Sequence, residues 1–233
     1  MGSVLNDRKL EELIDRLHRQ SADQFPAMAE YFGRSSPEGR PVKLDEDEIR
    51  KFLSDKLVAL ERDKADFCYM LCRAVNATRI VEVGTSYGVS TLYLAAALRD
   101  NLRLTDLKGV VIGTEYEPNK ASAARANFAK AGLSDFIDLR EGDLRETLKD
   151  LRGSVDFVLL DIWPQMARPA LELIAPRLRA GSVIICDNTK DYRDTPSYIP
   201  NYRDYFEFIS DPANRFNTMT LPFQGGLELT IRL

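Results

Sequence analysis

From Arg79 onward, short apolar runs alternate with helical stretches, and this order restricts the possible folds more than any other feature of the chain. The runs Arg79–Val83, Val110–Glu115, Phe136–Glu141, Val155–Asp161 and Ser182–Asp187 read as strands. The segments Ser86–Arg99, Pro118–Ala131, Leu144–Leu151, Gln165–Leu178 and Asn201–Ser210 read as helices. Such alternation implies a mostly parallel sheet with helices on both faces, a three-layer α/β architecture. Two more runs, Phe216–Leu221 and Leu227–Leu233, are joined only by Pro222-Phe223-Gln224-Gly225-Gly226. That link is too short for a crossover helix, so the two runs are expected to form an antiparallel hairpin at the sheet edge.

The first 77 residues are helical in pattern. Leu5, Leu10, Leu13, Ile14 and Leu17 recur at helical spacing, and Phe25, Met28, Ala29 and Phe32 form a second stripe after Ser21. Two helical pieces are therefore predicted, followed by a loop over Gly33–Pro41. Asp45–Ala77 reads as helix with a break near Glu61-Arg62-Asp63, its acidic start matched to the helix dipole. We expect one domain over 1–233. Residues 1–77 would be a helical extension that covers the core, a dimer partner or the acceptor side of a site. Residues 78–233 would be the α/β core.

Composition narrows the function. The 233 residues carry 32 Lys and Arg against 36 Asp and Glu, a net charge of −4, so no basic field favours nucleic acid or a membrane surface. Three cysteines, Cys68, Cys72 and Cys186, make no disulfide framework and fit a reducing, cytoplasmic setting. The single histidine, His18, lies in a charged N-terminal helix. That sets aside His-based metal sites, catalytic triads and His general bases. No apolar run reaches the roughly 20 residues that span a bilayer. The polar start, Met1 to Arg19, does not read as a signal peptide.

In open parallel sheets, ligands bind beyond the carboxyl ends of the strands, where strand order reverses. The first strand runs into Glu82-Val83-Gly84-Thr85-Ser86-Tyr87-Gly88-Val89-Ser90. A glycine there permits a tight turn and close approach of backbone to ligand, and the next helix aims its amides at the same place. The second strand ends at Glu115, whose carboxylate could accept both hydroxyls of a ribose. Asp143, after the third strand, either accepts the amine of a base or caps the helix that follows. Asp161 ends the fourth strand and Asp187-Asn188 the fifth. Together they are either three oxygen donors for a hard cation such as Mg²⁺ or caps of turns and helices. Trp163, the only tryptophan, would stack on a base or pack in the core. Tyr192, Tyr198 and Tyr202 flank a long loop after the fifth strand and either border an aromatic acceptor or pack.

Taken together, these motifs resemble the class I S-adenosylmethionine-dependent methyltransferases, a Rossmann-like fold, and within them the small O-methyltransferases of the catechol and caffeoyl-coenzyme A type. The resemblance runs from about Asp63 to Leu233 and includes Asp63-Lys64-Ala65-Asp66-Phe67 and Gly225-Gly226-Leu227-Glu228-Leu229. It implies that Glu82, Gly84 and Ser90, with Ser86 and Gly88 of the same turn, line the methionine end of the cofactor. It implies Glu115 at the ribose, Asp143 and Trp163 at the adenine, and a divalent cation on Asp161, Asp187 and Asn188. The acceptor would be a small hydroxylated molecule, and relatives of this kind are often homodimers. The family lysine that serves as base three residues after the first metal aspartate is here Pro164. Lys190 is the candidate replacement. That departure leaves open a metal-independent N- or O-methyltransferase and a non-catalytic cofactor-binding protein. A nicotinamide oxidoreductase is disfavoured by the missing Gly-x-Gly-x-x-Gly and by the terminal hairpin.

Overall fold

The computed structural model describes residues 4–33, 46–103, 105–190 and 202–233. Three helices come first: α1 (Arg8–Phe32), α2 (Glu46–Leu53) and α3 (Arg62–Ala74). Then β1 (Arg79–Val83), α4 (Val89–Leu102), β2 (Val110–Glu115), α5 (Pro118–Ala131), β3 (Ile137–Glu141) and α6 (Leu144–Thr147) follow in strict alternation. β4 (Val155–Leu160), α7 (Pro164–Ile174), β5 (Leu178–Asp187) and α8 (Arg203–Ser210) continue it, and β6 (Phe216–Leu221) and β7 (Leu227–Arg232) end the chain.

The strands form one seven-stranded sheet in the order β3-β2-β1-β4-β5-β7-β6. β1 to β5 pair in parallel, while β7 runs antiparallel to both β5 and β6. The order reverses between β1 and β4, which opens a crevice at their carboxyl ends. Successive strand residues serve opposite faces. Ile80, Phe157, Leu159, Val183 and Ile185 pack with residues of α1, α3, α4 and α5. Val81, Val83, Val158, Leu160 and Ile184 pack with residues of α6, α7 and α8. Both faces are covered, which is why the strands read as unbroken apolar runs.

Asp156 fixes the amino ends of three strands. Its Oδ2 accepts the backbone N–H of Thr78 at 2.8 Å and of Arg79 at 3.0 Å, while Oδ1 pairs with Arg179 Nε at 2.7 Å. Burial would raise its pKa, but these donors outweigh burial and hold the carboxyl below its usual value.

The N-terminal segment departs from expectation. α1 is continuous through Ser21 and Pro26 and is not split into two pieces. Ser21 does not cap a second helix. Its hydroxyl donates to the Leu57 carbonyl at 2.9 Å, and Gln24 Oε1 accepts the Leu57 N–H at 2.8 Å. The polar stretch that suggested a break is thus a tertiary clamp on the segment before α3. The helix expected over Asp45–Ala77 is interrupted across residues 54–61, a longer gap than the break expected near Glu61. Asp45, most of the 33–41 loop, and Tyr192 and Tyr198 lie outside the described residues. No described helix is long and apolar enough to cross a membrane.

Candidate active site

Where the strand order reverses, the carboxyl ends of β1, β2, β4 and β5 border a cavity of about 500 Å³. β1 enters it through the turn 84–88. Gly84 has φ +100°, and a Cβ there would lie 1.9 Å from the Asp161 carbonyl oxygen, so the tips of β1 and β4 touch backbone to backbone. Ser86 also adopts a positive φ, +50°. Its hydroxyl is buried, has no partner within the protein, and belongs to the cavity wall. A buried hydroxyl of this kind calls for a ligand atom to pair with it. Gly88 serves packing instead. A Cβ there would strike the Phe128 ring at 2.4 Å, so the glycine permits α5 to pack against the start of α4.

Acids surround the turn. Glu82 is fully enclosed; Oε2 accepts hydrogen bonds from Thr85 Oγ1, at 2.9 Å, and Thr91 Oγ1, with Ser90 adding a third side-chain bond. Burial pushes its carboxyl up despite these donors, and Oε1 has no partner. Glu82 therefore braces the turn and the first turn of α4 from below. Glu115 reaches the cavity from the tip of β2. Its two oxygens accept the N–H groups of Ser86 at 2.7 Å and Glu117 at 2.8 Å, which fixes their direction. Each carboxylate oxygen keeps capacity for a further donor. Asp143 is the cap of α6, accepting the Arg145 N–H at 2.9 Å, and it also borders the cavity. The Arg145 side chain holds its carboxyl below the usual range. Trp163 and Pro164 line the same wall at the start of α7. Tyr202 borders the cavity as well and donates its hydroxyl to the Ile162 carbonyl at 3.2 Å.

Asp161, Asp187 and Asn188 stand at the neighbouring ends of β4 and β5, and both Asp161 and Asn188 line the cavity. Asn188 holds φ +54°, a backbone setting that Asn tolerates better than most residues. Burial and the Asp187 charge push the Asp161 carboxyl well above the ordinary range. Burial likewise raises Asp187, although an ammonium opposes it. That ammonium belongs to Lys64 of α3, which is completely enclosed. Its Nζ lies 2.6 Å from Asp187 Oδ1, 2.9 Å from Glu61 Oε2 and 3.3 Å from Asn188 Oδ1. Burial alone would favour the neutral amine, but Asp187 and Glu61 reverse this and keep Lys64 charged.

These donors suit a divalent cation. Two carboxylates and an amide are hard oxygen ligands of the kind Mg²⁺ takes. Asp161, Asp187 and Glu61 set three carboxyl groups against the single ammonium of Lys64. Among the described residues, no three Asp, Glu, His or Cys side chains are placed to hold a metal ion together, so a cation here would take the Asn188 amide as its third donor. Lys190 is exposed and does not line the cavity; its backbone N–H bonds the Gly225 carbonyl at 3.0 Å. Among the described residues, the lysine that lines the cavity is Lys120 at the start of α5, its pKa lowered by burial. Lys64 enters the sequence reading only within the Asp63–Phe67 stretch that carries the resemblance, without a role, and Lys120 looks like a solvated helix lysine. The signals were Glu61 three residues before Lys64 and the two acids, Glu115 and Glu117, just ahead of Lys120.

A sheet that reverses between β1 and β4, ends in an antiparallel hairpin and carries a glycine turn with an acid at the tip of β2 is what the resemblance to the class I S-adenosylmethionine-dependent methyltransferases leads one to expect. Residues 81–189 match the family described as "Methyltransferase domain". Over 132 residues the chain is 31% identical to the catechol O-methyltransferase of Mycobacterium tuberculosis, covering 56% of this chain and 57% of that one. The chain thus spans a little over half the length of that curated relative. It is 26% identical to caffeoyl-CoA O-methyltransferase 1 of Eucalyptus globulus, covering 76% of each. The Bacillus cereus O-methyltransferase solved with SAH superposes with a TM-score of 0.66 at 22% identity, over 82% of this chain and 93% of that one. In fold and in sequence the chain is similar to the small catechol and caffeoyl-CoA O-methyltransferases.

Proposed function

We propose that the chain transfers the methyl group of S-adenosylmethionine to a hydroxyl of a small, catechol-like molecule, with a divalent cation such as Mg²⁺ on Asp161, Asp187 and Asn188. One observation carries this reading: the glycine turn of β1, the acid of β2, Asp161 at the end of β4 and Asn188 just after β5 all border a single cavity.

The sulfonium is already activated, so the protein has chiefly to align the reactants. Gly84 allows the methionine end to approach the backbone, and Ser86 Oγ offers a hydrogen bond there. Glu115, pinned by two amides, receives the ribose hydroxyls. Asp143 and Trp163 border the adenine. A bound divalent cation would supply positive charge that lowers the pKa of an acceptor hydroxyl and orients it. Pro164 offers no proton acceptor beside it. Tyr202 and the start of α7 then form the wall against which the acceptor lies.

Calorimetry with S-adenosylmethionine and with NAD tests the cofactor, and formation of S-adenosylhomocysteine across a panel of catechols tests the reaction. Tight binding of the first ligand alone, with turnover lost in chelator, is expected. Failure to bind S-adenosylmethionine would overturn the reading, and full turnover in excess chelator would remove the cation from it.

A further inference from the structure

We propose that Lys64 is a tethered cation that competes with the divalent ion for Asp187 and Asn188 and so weakens the hold of this site on metal. The inference rests on the cation site proposed above. A lysine is almost never fully enclosed unless its charge is matched. Here the ammonium lies within ion-pair distance of Asp187 and Glu61 and donates a hydrogen bond to Asn188 Oδ1. Two of those partners, Asp187 and Asn188, are among the three proposed metal ligands. The tether is short and rigid, because Lys64 and Glu61 sit at the very start of α3 while Asp187 and Asn188 end β5.

The geometry gives the direction. Lys64 is a cation already seated against Asp187 and Asn188, where a divalent ion would take its oxygens. Two cations that share ligands in a site of low dielectric repel one another strongly. Removing the ammonium while keeping the chain length should therefore deepen the well for metal. A lysine that merely props up Asp187 and Asn188 predicts the opposite, since its loss would let the ligands drift.

The test measures Mn²⁺ binding to wild type, Lys64→Met and Lys64→Gln by the paramagnetic resonance signal of free Mn²⁺, with thermal unfolding followed with and without the ion. We expect both variants to bind at least about tenfold more tightly than wild type and to gain more in Tm on adding Mn²⁺. A variant that folds only with Mn²⁺ present also supports the proposal. Equal or weaker binding by folded variants overturns it, as do variants that stay unfolded at saturating Mn²⁺. Uptake by a variant but not by wild type is competition in its strongest form. Absence of uptake by all three proteins sinks the cation site itself and this proposal with it.

Discussion

Single residues divide into those that shape the cavity and those that would work in it. Gly84 shapes it, through φ +100° and its contact with the Asp161 carbonyl. Gly84→Ala should cost about 3 kcal/mol of stability and abolish cofactor binding, which chemical denaturation and calorimetry would read. Asp187, next to the cavity-lining Asn188, is proposed to work there. Asp187→Asn keeps the shape and leaves Glu61 to Lys64, so it should retain S-adenosylmethionine binding yet lose turnover; unchanged turnover would count against the cation. Asp156 does neither and holds strand ends together. Its folded pKa lies below the unfolded value of about 3.9, so its contribution is complete above that pH and disappears as the pH falls through the folded pKa. Asp156→Asn should therefore cost about 2 kcal/mol at neutral pH, and the gap to wild type should close below about pH 4. A gap that does not vary with pH would show that the charge is irrelevant.

At the scale of elements, the sheet was legible because both its faces are covered, so β1, β4 and β5 had to be apolar throughout. The acids at their tips interrupt those runs, and interruption is what marked Glu115, Asp161 and Asp187. Polar residues used in distant contacts were not legible. Ser21 looked like a helix boundary because nothing local reveals that it and Gln24 bond Leu57, 36 and 33 residues away. Lys64 was hidden for the same reason, its partners Asp187 and Asn188 lying on β5. The clamp can be checked directly. Gln24→Ala removes the acceptor of the Leu57 N–H, so hydrogen exchange at that amide should quicken by about fivefold to tenfold for a loss of about 1 kcal/mol. Since Ser54 and Val58 of the clamped segment line the cavity, exchange there should slow again when cofactor binds.

For the whole molecule, the two faces of the sheet carry separate cores that share only the strands between them. The sole tryptophan stands at the cavity where those strands end. Titration with S-adenosylhomocysteine should change the intrinsic fluorescence, and Trp163→Phe should remove that signal without abolishing binding. The thiols divide along the same line. Cys68 and Cys72 lie in the core under α3, Cys186 lies in the core on the opposite face, and burial pushes all three thiols well above their ordinary pKa. Native protein should therefore be inert to alkylating reagents, and each cysteine becomes a clock for the layer that shelters it: equal labelling rates for the three would mean that the layers open as one, whereas earlier labelling of Cys186 would show the α6–α8 side coming away first.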